Sequence, residues 1–213
     1  MTFDNRPDAG ERLAPMLARR RLRDPIVLGL PRGGVPVAAI VADALGVPLD
    51  VIIVRKLGAP SQPEYAIGAL GEDGVRVIDE TAMRSVGVDV DELASIERAE
   101  RQEVERRATL FRAGRSRLDL AGRTAVIVDD GVATGATAAA ACRVARALGA
   151  TVVVLAVPVA PADWTTTLAG EADGLIAVET HSPFYAVGFW YTDFRQTTDD
   201  EVVALLAARP PGR

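Results

Sequence analysis

Five short runs of apolar, largely β-branched residues constrain this chain more than any other feature: IVLGL at 26–30, DVIIV at 50–54, TAVIV at 124–128, TVVVLAV at 151–157 and GLIAV at 174–178. A strand with one wet face alternates apolar and polar residues, whereas these runs are nearly continuous, as strands buried on both faces must be. Between them, GGVPVAAIVADALG and GATAAAACRVARALG read as helices closed by Gly46 and Gly149, each at a C′ position that favours glycine. Repeats of strand, helix and strand require right-handed crossovers, so the expected fold class is α/β, with a doubly wound, mostly parallel sheet. The 213 residues, 49% of them hydrophobic and 25% charged, suffice for a single domain spanning 1–213 around one core.

Two segments break the alternation. The stretch LGAPSQPEYAIGALGEDGVRVID, 57–79, is rich in glycine and proline and reads as a flexible loop carrying a hairpin between AIGAL and VRVID. After it, Leu93, Ile96, Val104, Ala108 and Phe111 form an imperfect apolar stripe on a charged helix whose ion pairs read as a solvated face. Residues 181–213 are expected to form a hood over the sheet and a tail. The net charge of −5 is a poor footprint for nucleic-acid binding, so an anionic ligand would have to be met locally. One cysteine, Cys142, excludes an intrachain disulfide framework, and the first residues lack the apolar core of a signal peptide, so a cytoplasmic location is expected. Cys142 itself reads as packing in an alanine-rich helix.

The stretch AVIVDDGVATGATAAAA, 125–141, carries the chemistry. Ligands of open α/β sheets bind beyond the carboxyl ends of the strands, which is where Asp129 and Asp130 fall. Gly131 permits a sharp turn, and Ala133, Thr134, Gly135, Ala136 and Thr137 present small side chains and backbone N–H groups at a helix start, a cradle for a phosphate. The hydroxyls of Thr134 and Thr137 add donors. An ordinary Asp N-cap would account for one acid and one threonine but not for the second acid and the two glycines. In LGLPRGG, 28–34, Gly33 and Gly34 let backbone approach a second anion, with Arg32 as its cation. Arg55 and Lys56, the latter the only lysine, end the second strand.

The segment VIVDDGVATGAT resembles the phosphoribosyl pyrophosphate (PRPP) loop of type I phosphoribosyltransferases, and LPRGG and the Arg55–Lys56 pair follow the family's order of motifs across residues 24–180. The resemblance implies that Ala133 to Thr137 hold the ribose phosphate while Asp129 and Asp130 grip the ribose hydroxyls, directly or through a substrate-borne magnesium ion. It further implies that Arg32, Arg55, Lys56, Gly33 and Gly34 face pyrophosphate, with a cis peptide between Pro31 and Arg32. A nitrogenous base would displace pyrophosphate from PRPP, with Phe184 or Tyr185 stacked on it, in a magnesium-dependent transferase that forms a dimer. Hypoxanthine-type members carry an acid where this chain has Ala133, and orotate-type members a lysine in a loop that here, over 57–75, has no Lys or Arg, so the acceptor stays open. His181, the only histidine, shows no partner in sequence and reads as structural or solvent-exposed. Trp190 and Tyr191 fit a hood or a dimer contact. The alternative is a noncatalytic PRPP-sensing regulator on the same fold. A PRPP synthetase-like enzyme would need a duplicated domain, and no internal repeat is present.

Overall fold

The computed structural model describes residues 2–60 and 62–209; position 61 of the expected loop and 210–213 of the expected tail lie outside them. The chain enters through α1 (Arg6–Ala18), capped by the Asn5 side chain, which accepts from the N–H of Asp8. Arg19, Arg20, Arg21 and Arg23 follow its end, exposed, where positive charge complements the helix dipole. Next come β1 (Pro25–Gly29) and α2 (Gly34–Leu45), which closes on Gly46 at φ 64°, the left-handed cap expected from sequence.

β2 (Leu49–Val51) is shorter than its apolar run suggests. The N–H of Ile53 donates to Glu72 instead of to a neighbouring strand, and the chain leaves the sheet. It then builds a separate antiparallel sheet from β3 (Val54–Ala59), β4 (Gln62–Gly71) and β5 (Arg76–Ile78), in that order. The expected hairpin is there, with Gly68 opposite Ile78. Arg55 and Lys56, however, sit on β3 of this second sheet and not at the end of a parallel strand.

After α3 (Glu80–Ser85) comes α4 (Val90–Arg112), which buries Leu93, Val104 and Phe111 of its expected stripe. Its charged side is more than a solvated face, because Glu100 holds Arg55 and Glu97 holds Arg76, both on the second sheet. At the end of α4, the buried Arg112 meets Asp50 of β2 and Glu72 just past β4, and donates to the carbonyl of Val51. Buried charges persist only when paired, so this knot ties the second sheet to the first.

The chain continues through β6 (Thr124–Val128), α5 (Ala136–Ala147), β7 (Val152–Pro161), α6 (Trp164–Thr167) and β8 (Gly174–His181), then a 3-10 turn at Val187–Trp190 and α7 (Asp199–Ala207). The main sheet runs β2-β1-β6-β7-β8, every pair parallel. Successive strand residues point to opposite faces: Val126 and Val128 pack with α1, α2 and α7, while Ala125 and Ile127 pack with α5 and α6. Cys142 is fully buried in the second layer, which pushes its thiol up to about 12. The hood is a joint structure of both chain ends, since Phe3 bridges to Tyr191 and the N–H groups of Thr2 and Phe3 donate to the carbonyl of Trp190.

Candidate active site

β6 delivers Asp129 and Asp130 to the carboxyl end of the sheet, and the turn between β1 and α2 lies directly on them. A Cβ on Gly33 would fall 2.0 Å from Asp130 Oδ2, and one on Gly34 would fall 2.5 Å from the Val128 carbonyl and 2.8 Å from the Asp129 Cα. These two glycines are therefore required by the close approach of the turn to the acids, a reason the sequence did not expose. The peptide between Pro31 and Arg32 is cis, as the resemblance implies.

Each acid has one oxygen engaged. Asp129 Oδ1 accepts from the Asp130 N–H at 2.9 Å. Asp130 Oδ2 receives Nε of Arg6 at 2.9 Å and lies 2.8 Å from its Nη2. Among the described residues the other oxygen of each carboxylate has no partner, which leaves one open acceptor on each acid. Arg6 is 9% exposed, with Nη1 on the Arg195 carbonyl at 2.7 Å and its guanidinium 4.1 Å from the centre of the Phe194 ring. Tyr191, also buried, donates its hydroxyl to the Asp130 carbonyl at 2.6 Å. Arg6 was not expected from sequence at all, and Tyr191 only in a hood or dimer contact. One signal for Arg6 was available, since a cation in the first turn of a helix opposes the dipole and needs a carboxylate nearby.

Burial pushes the Asp129 carboxyl well above the usual carboxylate range, and the charge of Asp130 adds to it. Asp130 is also raised by burial, against the pull of Arg6. An acid whose value is raised on folding weakens the folded state once ionised, so stability falls as pH climbs from the unfolded value of about 3.9 through the raised one. Asp129→Asn keeps the acceptor for the Asp130 N–H and removes the charge. In the ligand-free protein at pH 8 it should raise the melting temperature by a few degrees, given that about 1 kcal/mol moves a domain of this size roughly 2–4 °C. Thermal unfolding from pH 4 to 8 checks this: the gap from wild type should close as pH falls, and a lower melting temperature for the variant at pH 8 would contradict the assignment.

Beyond the acids, α5 starts at Ala136 from an N-cap, Gly135, that has no side-chain cap bond and φ 80°. The N–H groups of Ala133 to Thr137 make no hydrogen bond among the described residues, and Ala133, Thr134 and Thr137 are exposed. This cradle stands between two cavities. Thr137 lines one of about 480 Å³ with Leu30, Pro31, Arg55, Lys56 and Glu100. Ala133 and Thr134 line another of about 500 Å³ with Asp163, His181, Phe184 and Tyr185. Arg32 is placed apart from both, 3.5 Å from Asp199 at the start of α7.

The doubly wound α/β sheet, with paired acids and an open helix start at the carboxyl ends of its strands, defines the class of protein to which the chain belongs. More particularly, the chain belongs to the phosphoribosyl transferase domain family, whose match spans residues 7–167. It is 56% identical over 204 residues, 96% of its length, to proteins of two Mycobacterium tuberculosis strains that are provisionally named phosphoribosyl transferases. It spans 46%, about half, of the length of these relatives. The crystal structure of TT1426 from Thermus thermophilus is 43% identical, with a TM-score of 0.92 and both chains covered in full.

Proposed function

We propose that the chain transfers the phosphoribosyl group of PRPP to a nitrogenous base with release of pyrophosphate. The observation that carries this reading is the cradle shared between two cavities of different character, one lined by Lys56 and by Arg55 with its partner Glu100, the other by the aromatic rings of Phe184 and Tyr185. A transfer reaction needs its leaving group and its acceptor on opposite sides of the reacting carbon. Here the ribose phosphate would take the free N–H groups of 133–137, its hydroxyls the open oxygens of Asp129 and Asp130, and the pyrophosphate the side of Pro31, Arg55 and Lys56. Arg32 joins if it exchanges Asp199 for pyrophosphate. That pair is long and both side chains are more than a third exposed, so the exchange costs little.

Magnesium fits the donor set. Among the described residues no group of three or more His, Cys, Asp or Glu side chains could hold a metal by itself, while two carboxylates beside a polyphosphate match the ion's habit of binding substrate oxygens, waters and few protein acids. Bound with PRPP at Asp129 and Asp130, it would screen the pyrophosphate charge. The reading carries with it a homodimer and a cytoplasmic location. No helix among the described residues is long and apolar enough to cross a membrane. Pyrophosphate release from PRPP and magnesium, measured across purines, pyrimidines and other heterocycles, tests the reading. Release dependent on one acceptor class supports it, and binding of PRPP without release for any acceptor would favour the sensing regulator.

A further inference from the structure

Glu179 and His181 stand two residues apart on β8, so strand alternation puts both side chains on one face. Glu179 Oε2 lies 3.0 Å from His181 Nε2. The imidazole is laid flat on the Trp190 indole, with ring centroids 3.5 Å apart and planes within 8° of parallel, which sets the plane of the ring. Nδ1 has no hydrogen-bond partner among the described residues, and His181 lines the same cavity of about 500 Å³ as Ala133, Thr134, Phe184 and Tyr185. The partner that the sequence could not show is thus Glu179, supplied by the strand.

A carboxylate that accepts from Nε2–H fixes the tautomer and leaves the lone pair on Nδ1. Imidazole is the side chain best matched to proton transfer near neutral pH. The cradle residues that line this cavity, Ala133 and Thr134, carry no carboxylate for that task. We propose that His181, oriented by Glu179, removes the ring N–H proton of a planar heterocyclic acceptor held in this cavity. The inference rests on the transferase reading and deepens it by specifying an acceptor with an ionisable ring N–H. In the step, the acceptor's proton passes to Nδ1 and the nitrogen's electron pair forms the bond to C1 of the ribose. The bond from C1 to the pyrophosphate oxygen breaks, and its electron pair leaves with pyrophosphate. The imidazolium formed is stabilised by Glu179. The other titratable groups lining the cavity are Asp163, from the turn between β7 and α6, and the Tyr185 phenol.

His181 is the chain's only histidine, so its imidazole signals in nuclear magnetic resonance are assigned without ambiguity. Adenine, hypoxanthine and uracil serve as probes, each added with PRPP and magnesium. At least one should move the imidazole resonances and support pyrophosphate release. His181→Gln should bind PRPP in calorimetry as tightly as wild type, which also shows that it folds, yet release pyrophosphate roughly 100-fold to 10,000-fold more slowly. Glu179→Gln should lower kcat for pyrophosphate release and leave the KM for the acceptor near its wild-type value, a split that loss of a purely structural contact would not give. Equal release by His181→Gln and wild type overturns the dyad and leaves the transferase reading standing. An unmoved imidazole and no release with all three probes overturns the dyad for them. Failure of the wild type to bind PRPP defeats the underlying reading, and the dyad with it.

Discussion

Replacing Arg6 with methionine is expected to lower the melting temperature by roughly 6–12 °C, the equivalent of about 3 kcal/mol in a chain of this size. The side chains of Arg6 and Asp130 are only 10% and 15% exposed. Removing one partner of such a pair strands the other charge where water cannot fully reach it, and the penalty commonly exceeds the worth of the pair itself. Methionine keeps an unbranched apolar stem of similar reach but loses the guanidinium's contact with the Phe194 ring, so the share due to charge is read from the pair with Asp130. Asp130→Asn in the same background should cancel most of it, because a neutral amide no longer needs the guanidinium. A double-mutant cycle read by thermal unfolding checks this. An Arg6→Met loss unchanged by Asp130→Asn would mean that Arg6 acts through Phe194 or Arg195 instead.

The second large effect is expected at Gly34. A methyl group there meets the Val128 carbonyl at 2.5 Å and the Asp129 Cα at 2.8 Å, both backbone that cannot rotate away. Gly34→Ala must therefore push the β1–α2 turn off the acids. It should cost about 3 kcal/mol, the upper end for overpacking, and weaken magnesium-dependent PRPP binding at least tenfold, roughly 1.4 kcal/mol. Gly33→Ala disturbs the site by another route, because its Cβ would lie 2.0 Å from Asp130 Oδ2 and 2.7 Å from Cγ, so the acid that holds Arg6 has to move. Thermal unfolding and calorimetry on both variants decide the matter: a Gly34→Ala protein with wild-type affinity would show that the turn can lift without disturbing the site.

What was legible in the sequence is what short-range chemistry writes there. Continuous runs such as Thr124–Val128 disclose doubly buried strands, Gly46 marks a helix end, and Asp129 to Thr137 lie so close in sequence that one stretch of chain displays acids and cradle together. Phe184, Tyr185, Arg55 and Lys56 also lie in cavities reached by the cradle. The rest depended on pairings between distant residues. Arg6 and Asp130 are 124 positions apart, and no periodicity in α1, which holds Pro15 and few large apolar residues, announced that its first turn would reach the site. The short β2 likewise followed from Glu72, nineteen residues on, capturing the Ile53 N–H, an event that the run DVIIV could not contain.

Titration calorimetry decides whether the crevice over Asp129 and Asp130 holds PRPP. PRPP titrated into the protein with magnesium should bind at one site per chain. Asp130→Asn should weaken that binding by roughly tenfold or more, because an amide keeps the shape of the carboxylate but loses its charge as an acceptor for the ribose hydroxyls. No binding heat at millimolar PRPP with magnesium, or equal affinity in wild type and Asp130→Asn, would contradict PRPP binding there.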